Sequence, residues 1–312
     1  MPRITHGRIP VSLSRIALAF SERGRGEGAG LALLLITVIC WGLNWPALKL
    51  VLFRLPPFSM RSVTALAAAI AVMAVAAMRG ERLAPPHGQW PRLLAASFLN
   101  YTSWFGFVTV ALVWLPASTA VIITYTMPVW AICFAWPILG ERPTGRHIGG
   151  LCLGIGGVVT VLGGGATPIA TNEWVGVGCA LAAAVLFALG SVSTKRWPVA
   201  LPPFAMMGWQ MLLGVAPICV LALALEHPDF SDLPVIDIAA LGYTTFVALL
   251  FGYLCWFRAL KLLPASVATG GTLLVPVIGV FGSGLLLGET LGVRQFVALA
   301  LTVSGVALAV RR

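Results

Sequence analysis

Long apolar runs alternate with short polar connections along this chain. Runs of about 17–25 residues, enough to cross a bilayer as a helix, predict ten helices at about 30–52, 58–78, 92–113, 117–138, 147–162, 174–195, 204–225, 238–258, 265–287 and 291–310. The fifth and tenth are the shortest. Connections such as Leu55-Pro56-Pro57 and Gly163-Gly164-Gly165 leave no room for a soluble domain. Residues 1–29 are basic and polar around Ile16 to Phe20, a stretch too short to span. No small-residue cleavage site follows, so this segment reads as a cytoplasmic tail with an interfacial amphipathic turn rather than a signal peptide.

The pattern repeats. Leu115-Pro116-Ala117-Ser118 recurs as Leu263-Pro264-Ala265-Ser266, Pro128 as Pro276, and Leu139-Gly140-Glu141 as Leu287-Gly288-Glu289, all at one offset. The match continues into Arg146/Arg294 and Gly157-Val158/Gly305-Val306. Upstream, Pro56-Pro57-Phe58-Ser59-Met60 resembles Pro202-Pro203-Phe204-Ala205-Met206, and Lys49 aligns with Lys195. Each copy therefore holds five helices, an odd number, so the second enters the membrane from the opposite side. The expectation is an all-α integral membrane protein of ten transmembrane helices, two inverted five-helix repeats around a central cavity. Its divisions fall at 1–29 (basic tail), 30–165 (first repeat) and 166–312 (second repeat).

Composition supports a polytopic membrane protein: 59% of residues are hydrophobic, 10% are charged, and the mean hydropathy is +0.96. A net charge of +10 would suggest nucleic acid in a soluble protein. Here, all of the 20 lysines and arginines except Lys49, Arg54, Arg61 and Arg294 fall on one side of the helix map. Glu173, Glu226, Asp229, Asp232, Asp237 and Glu289 fall on the other. The positive-inside tendency then places both termini in the cytoplasm and removes the case for nucleic acid. The six cysteines sit in apolar runs without paired spacing, and the four histidines lie in connections, so no metal, cofactor or catalytic cluster is expected. An integral-membrane enzyme acting on lipid would need such a cluster, and a channel would need polar rings along a wet pore.

Polar and aromatic residues near mid-span are the candidates for a site. Trp41 and Asn44 share one face of the first helix, where an amide can bind a ligand or glue helices. Tyr101 and Trp104 in the third helix, with Tyr253 and Trp256 in the eighth, either wall a cavity or face lipid. Thr124 and Tyr125 lie beside Pro128, and Thr272 beside Pro276. These prolines break helices at matching places and read either as gating points or as static bends. Ser191 and Gln210 are polar within apolar runs and face either the cavity or a neighbouring helix. Arg61, in the outer part of the second helix, reads either as snorkelling toward the outer surface or as contacting an anionic group. Lys49 and Lys195 suit helix C-termini. Glu141 and Glu289 are expected to pair with Arg146 and Arg294. Gly145-xxx-Gly149, Gly150-xxx-Gly154 and Gly284-xxx-Gly288 suggest close helix packing. No Asp or Glu lies mid-span, so no dedicated proton carboxylate is expected.

Trp41-Gly42, Pro57 with Arg61, the two LPAS…Pro…LGE blocks and the run Tyr253-Leu254-Cys255-Trp256-Phe257-Arg258-Ala259-Leu260 together resemble the drug/metabolite transporter superfamily, in its EamA-type ten-helix exporters. The resemblance covers nearly the whole chain from about residue 30. It implies a helical basket in the bacterial inner membrane that exports amino acids or related metabolites by alternating access. The partners implied are a small-molecule substrate and the lipid bilayer. The cavity composition favours neutral and aromatic amino acids; purines, sugars or drugs are the alternative cargo.

Overall fold

The computed structural model describes residues 13–162 and 173–310, with side chains from residue 27 onward except those of Ala265, Ser266 and Val310. The first part of the tail, the turn Gly163-Gly164-Gly165 and the boundary at 165/166 lie outside the described residues. Among the described residues there is no strand. The helices are α1 (Leu13–Leu52), α2 (Pro57–Met78), α3 (Trp90–Trp114), α4a (Ala117–Thr124), α4b (Met127–Leu139), α5 (Gly145–Leu162), α6 (Glu173–Arg196), α7 (Pro203–Leu225), α8 (Val235–Leu262), α9a (Ala265–Gly271), α9b (Leu274–Leu287) and α10 (Val293–Val310). Counting α4 and α9 as one span each, nine of the described helices are long and apolar enough to cross a membrane. Val293–Ala309 in α10 is apolar but shorter.

The boundaries follow from local chemistry. Proline opens α2 and α7, where its missing N–H costs nothing and its fixed φ suits a helix. The glycine of each LGE motif closes α4b or α9b in the left-handed region, Gly140 at φ 75° and Gly288 at φ 67°. Gly288 is thus a helix stop, with open space where a Cβ would lie, and not the packing residue that spacing suggested; Gly145 is equally open. The tail expectation also changes. The helix runs unbroken from Leu13 into the first span, because no proline intervenes before Pro46 and extending a formed helix is cheap.

Pro128 and Pro276 do not kink continuous helices. Each span is interrupted just before them, at Tyr125-Thr126 and Thr272-Leu273, and each proline occupies the first turn of the following segment. Val129 N–H bonds Thr126 O at 2.9 Å, and Val275 N–H bonds Thr272 O at 3.0 Å, so both restarts carry the same local bond.

The packing maps onto itself when the repeats are exchanged. α1 packs on α9b and α8, and correspondingly α6 packs on α4b and α3. α2 pairs with α7, and α5 with α10, each with its own twin. The α5–α10 crossing is close: a Cβ on Gly150 would lie 2.6 Å from Gly305 O, and one on Gly305 would lie 2.8 Å from Gly150 O. Carboxylates tie the two copies together. Glu226, after α7, accepts bonds from the N–H groups of Phe58 (2.9 Å) and Ser59 (2.6 Å) at the start of α2. Glu81, after α2, accepts from Ala205 N–H at the start of α7, at 2.9 Å. Glu289 caps α4a through Ala117 N–H (2.6 Å) and Ser118 N–H (3.0 Å), and Glu141 bonds Lys195 at 2.7 Å. Negative charge at a helix N-terminus is favourable, and each of these four carboxylates reaches across the repeats.

Candidate functional site

A cavity of about 300 Å³ lies between the repeats. On α1 its wall is the stripe Trp41, Asn44, Trp45 and Leu48, one helical face by spacing. On α3 it is Asn100, Tyr101, Trp104, Phe105 and Val108, again a single face. Arg61 of α2, Phe187 of α6, and Ala248, Leu249, Tyr253 and Trp256 of α8 close the sides. Tyr125 and Met127 flank the break in α4, and Thr269 and Thr272 the break in α9.

The aromatic groups are locked together by their edges and faces. Trp41 lies 5.0 Å from Tyr253 and 5.6 Å from Trp256 between ring centroids. Trp45 meets Trp104 at 6.5 Å and Tyr125 at 6.2 Å, and Trp104 meets Phe187 at 4.8 Å. Such tilted and edge-on pairs hold rings in fixed orientations. Both α3 and α8 contain π-helical turns, Phe98–Thr102 and Tyr243–Phe251, which disturb the regular bonding ladder. Carbonyls in and beside the α8 turn are met by α1: Trp41 Nε1–H bonds Ala248 O at 3.2 Å, and the Thr37 hydroxyl bonds Gly252 O at 3.3 Å. The widened turn therefore fixes the indole that walls the cavity.

Trp41, Asn44, Tyr101, Trp104, Tyr125, Tyr253 and Thr272 all stand on this wall. Thr124, Ser191 and Gln210 do not. Thr124 is fully buried, its hydroxyl bonded to Ala120 O at 2.7 Å. Ser191 is exposed. Gln210 lies behind the wall, where its Oε1 accepts from Asn100 Nδ2 at 3.1 Å and steadies that amide. The rotation of each helix decides these outcomes, and polarity alone does not reveal it.

Arg61 requires the opposite correction. It does not snorkel outward but is 2% exposed, its Nε–H bonded to Thr109 Oγ1 at 2.9 Å and its guanidinium 5.1 Å from the Phe105 ring centroid. Its proximity to the start of α2 suggested the surface, yet α3 covers it. Trp45, Asn100, Phe105 and Phe187 were not singled out from the sequence. The regular stripes 41/44/45/48 and 100/101/104/105/108 were the signal available for three of them. Lys49 donates to Leu112 O at 2.6 Å and to Leu115 O at 3.1 Å, binding α1 to the end of α3.

Several curated proteins resemble the chain along most of its length. The uncharacterized transporter YvbV of Bacillus subtilis is 29% identical, the match covering 87% of this chain and 88% of the relative. A probable amino-acid metabolite efflux pump of Salmonella typhimurium is 27% identical, covering 87% and 91%. A probable terminal-alkyne amino-acid exporter of Streptantibioticus cattleyicolor is 26% identical, covering 89% and 92%. A solved crystal structure shares the fold with a TM-score of 0.64 at 22% identity, covering 89% of this chain and 96% of its own. The EamA-like transporter family model matches residues 28–163 and again 174–311, and the chain belongs to that family of membrane transporters.

Proposed function

We propose that the protein exports amino acids, neutral and aromatic ones favoured, from the bacterial cytoplasm across the inner membrane by alternating access. The observation that carries this reading is the cavity between the inverted repeats. Trp41, Trp45, Trp104, Tyr125, Tyr253 and Trp256 surround a few polar groups within a volume at the small end of the ~300–1,000 Å³ typical of small-molecule sites. An apolar or aromatic side chain can stack on these rings while Asn44 and Arg61 meet its polar end. The efflux-pump and exporter names of two relatives support the same cargo class. Among the described residues no carboxylate lines the cavity, which favours facilitated or exchange transport over proton coupling. Both termini are cytoplasmic in this reading, with residues 30–165 and 166–312 as the two moving repeats. A planar heterocycle such as a purine is the rival cargo, because the same rings would stack on it.

Counterflow in proteoliposomes, using a panel of labelled amino acids and nucleobases, tests the proposal. Saturable exchange of phenylalanine or leucine that survives collapse of the proton gradient is expected. Exchange of nucleobases without amino acids would remove the cargo assignment, and loss of flux on dissipating the proton gradient alone would remove the coupling assignment.

A further inference from the structure

We propose that Arg61 is the anion seat of this cavity, receiving the carboxylate of the cargo; this rests on the amino-acid reading above. Arg61 is buried, lines the cavity, and meets the protein through its Nε–H on Thr109 and its guanidinium beside the Phe105 ring. Among the described residues its two terminal nitrogens have no hydrogen-bond partner. The ion pairs Arg54–Asp237 and Lys195–Glu141 do not involve it. Among the described residues no aspartate or glutamate stands on the cavity wall. A buried cation without a counter-charge is costly, and its free fork matches a carboxylate in shape and charge.

The inverted repeat supplies an internal control. Arg61 follows Pro-Pro-Phe-Ser-Met, and its counterpart after Pro-Pro-Phe-Ala-Met is Met207, also buried at 4% exposure. The scaffold therefore builds the same helix start around an apolar side chain and does not require a cation there. Asn44 shows the same asymmetry: its counterpart is Gly190, and its own Oδ1 is buried without a partner. Arg61 and Asn44 both line the cavity, and both belong to the first copy. The unpaired Asn44 amide marks the same region as built for a polar ligand, while the rings of Trp41, Tyr253 and Trp256 offer faces for an ammonium or a side chain.

The test is competition against labelled phenylalanine counterflow in proteoliposomes, comparing phenylalanine with phenylalaninamide, which lacks the carboxylate. In the wild type the amide should compete on the order of 10- to 100-fold more weakly, the worth of a charge-assisted hydrogen bond. Arg61→Met, which copies the twin position, should weaken phenylalanine by a similar factor and erase the difference, with thermal unfolding in detergent near that of the wild type. Arg61→Lys should restore part of the discrimination. A resident inorganic anion could satisfy the same fork, so exchanging chloride for gluconate separates the sources: unchanged phenylalanine flux is expected, and collapse would overturn the proposal. An unaltered phenylalanine-to-amide ratio in Arg61→Met, with robust exchange, defeats the role of Arg61 and leaves the amino-acid reading standing. Absence of any amino-acid exchange in the wild type defeats that reading and this inference with it. Joint loss of flux and thermal stability in both the Met and Lys variants would assign Arg61 to the scaffold and also overturn the proposal.

Discussion

Asn44 separates two accounts of a polar residue inside a span, helix glue and ligand contact. Glue must hold something, yet no hydrogen bond to Asn44 is found among the described residues, and its Oδ1 is buried without a partner. Removing an unsatisfied buried amide is close to neutral for stability, whereas removing a ligand contact costs flux. Asn44→Ala should therefore reduce phenylalanine exchange by roughly 3- to 10-fold, the value of one neutral hydrogen bond, while the unfolding temperature holds or rises slightly. A marked fall in unfolding temperature would return the residue to the glue account. Residues of this kind were legible in the sequence because an amide or an aromatic group at mid-span has few alternatives. Thr124, Ser191 and Gln210 are equally polar within apolar runs yet stand elsewhere, since the direction a side chain faces is set by helix–helix packing. For Arg61, distance along α2 measures depth and says nothing of the α3 residues Thr109 and Phe105 that cover it.

At the scale of elements, glycine shows how the same residue does unlike work. Gly150 lets α5 approach α10 so closely that an added Cβ would meet the Gly305 carbonyl at 2.6 Å, an atom that cannot rotate away. Gly145, in the first turn of the same helix, has nothing within 4 Å of that position. Gly150→Ala should destabilise the protein by about 1–3 kcal/mol, the usual cost of overpacking. Gly145→Ala should cost nothing and can gain a few tenths of a kcal/mol from helix propensity. Thermal unfolding of the two variants in detergent checks the contrast, and equal effects would contradict the crossing. The GxxxG spacing announced both positions without distinguishing them. The prolines were similarly half legible. Pro128 and Pro276 mark the interrupted spans, but whether a proline bends a helix or begins a new one depends on the bonds made just before it. Those involve Thr126 and Thr272, whose carbonyls take the restart bonds.

For the whole molecule, the inverted repeat was readable from the chain because both copies keep the same turn and cap chemistry. The state in which the copies are caught was not, since that depends on differences between equivalent contacts at the two ends. Lys49 and Glu289 clamp the corner between α3 and α4a: the lysine holds the last carbonyls of α3, and the carboxylate holds the first N–H groups of α4a, all partly buried. At the opposite end the equivalent residues, Lys195 and Glu141, pair with side chains 64% and 57% exposed. An exposed ion pair is worth roughly 0–1 kcal/mol, whereas hydrogen bonds from a charged group in a sheltered place contribute roughly 1.5–3 kcal/mol. This contrast predicts that the end bearing Lys49 parts less readily than the end bearing Lys195. Removing the stronger clamp should shift the population toward opening on the Lys49 side by the differential it supplied, on the order of 10-fold or more. With the native cysteines replaced and a single cysteine placed at Thr272 on the cavity wall, a membrane-impermeant thiol reagent added from the Lys49 side should label the Lys49→Ala background faster than the unaltered one. Lys195→Ala should change that rate little. Equal acceleration in both would mean that the two ends are matched gates, and that the burial difference between their clamps does not set which one is closed.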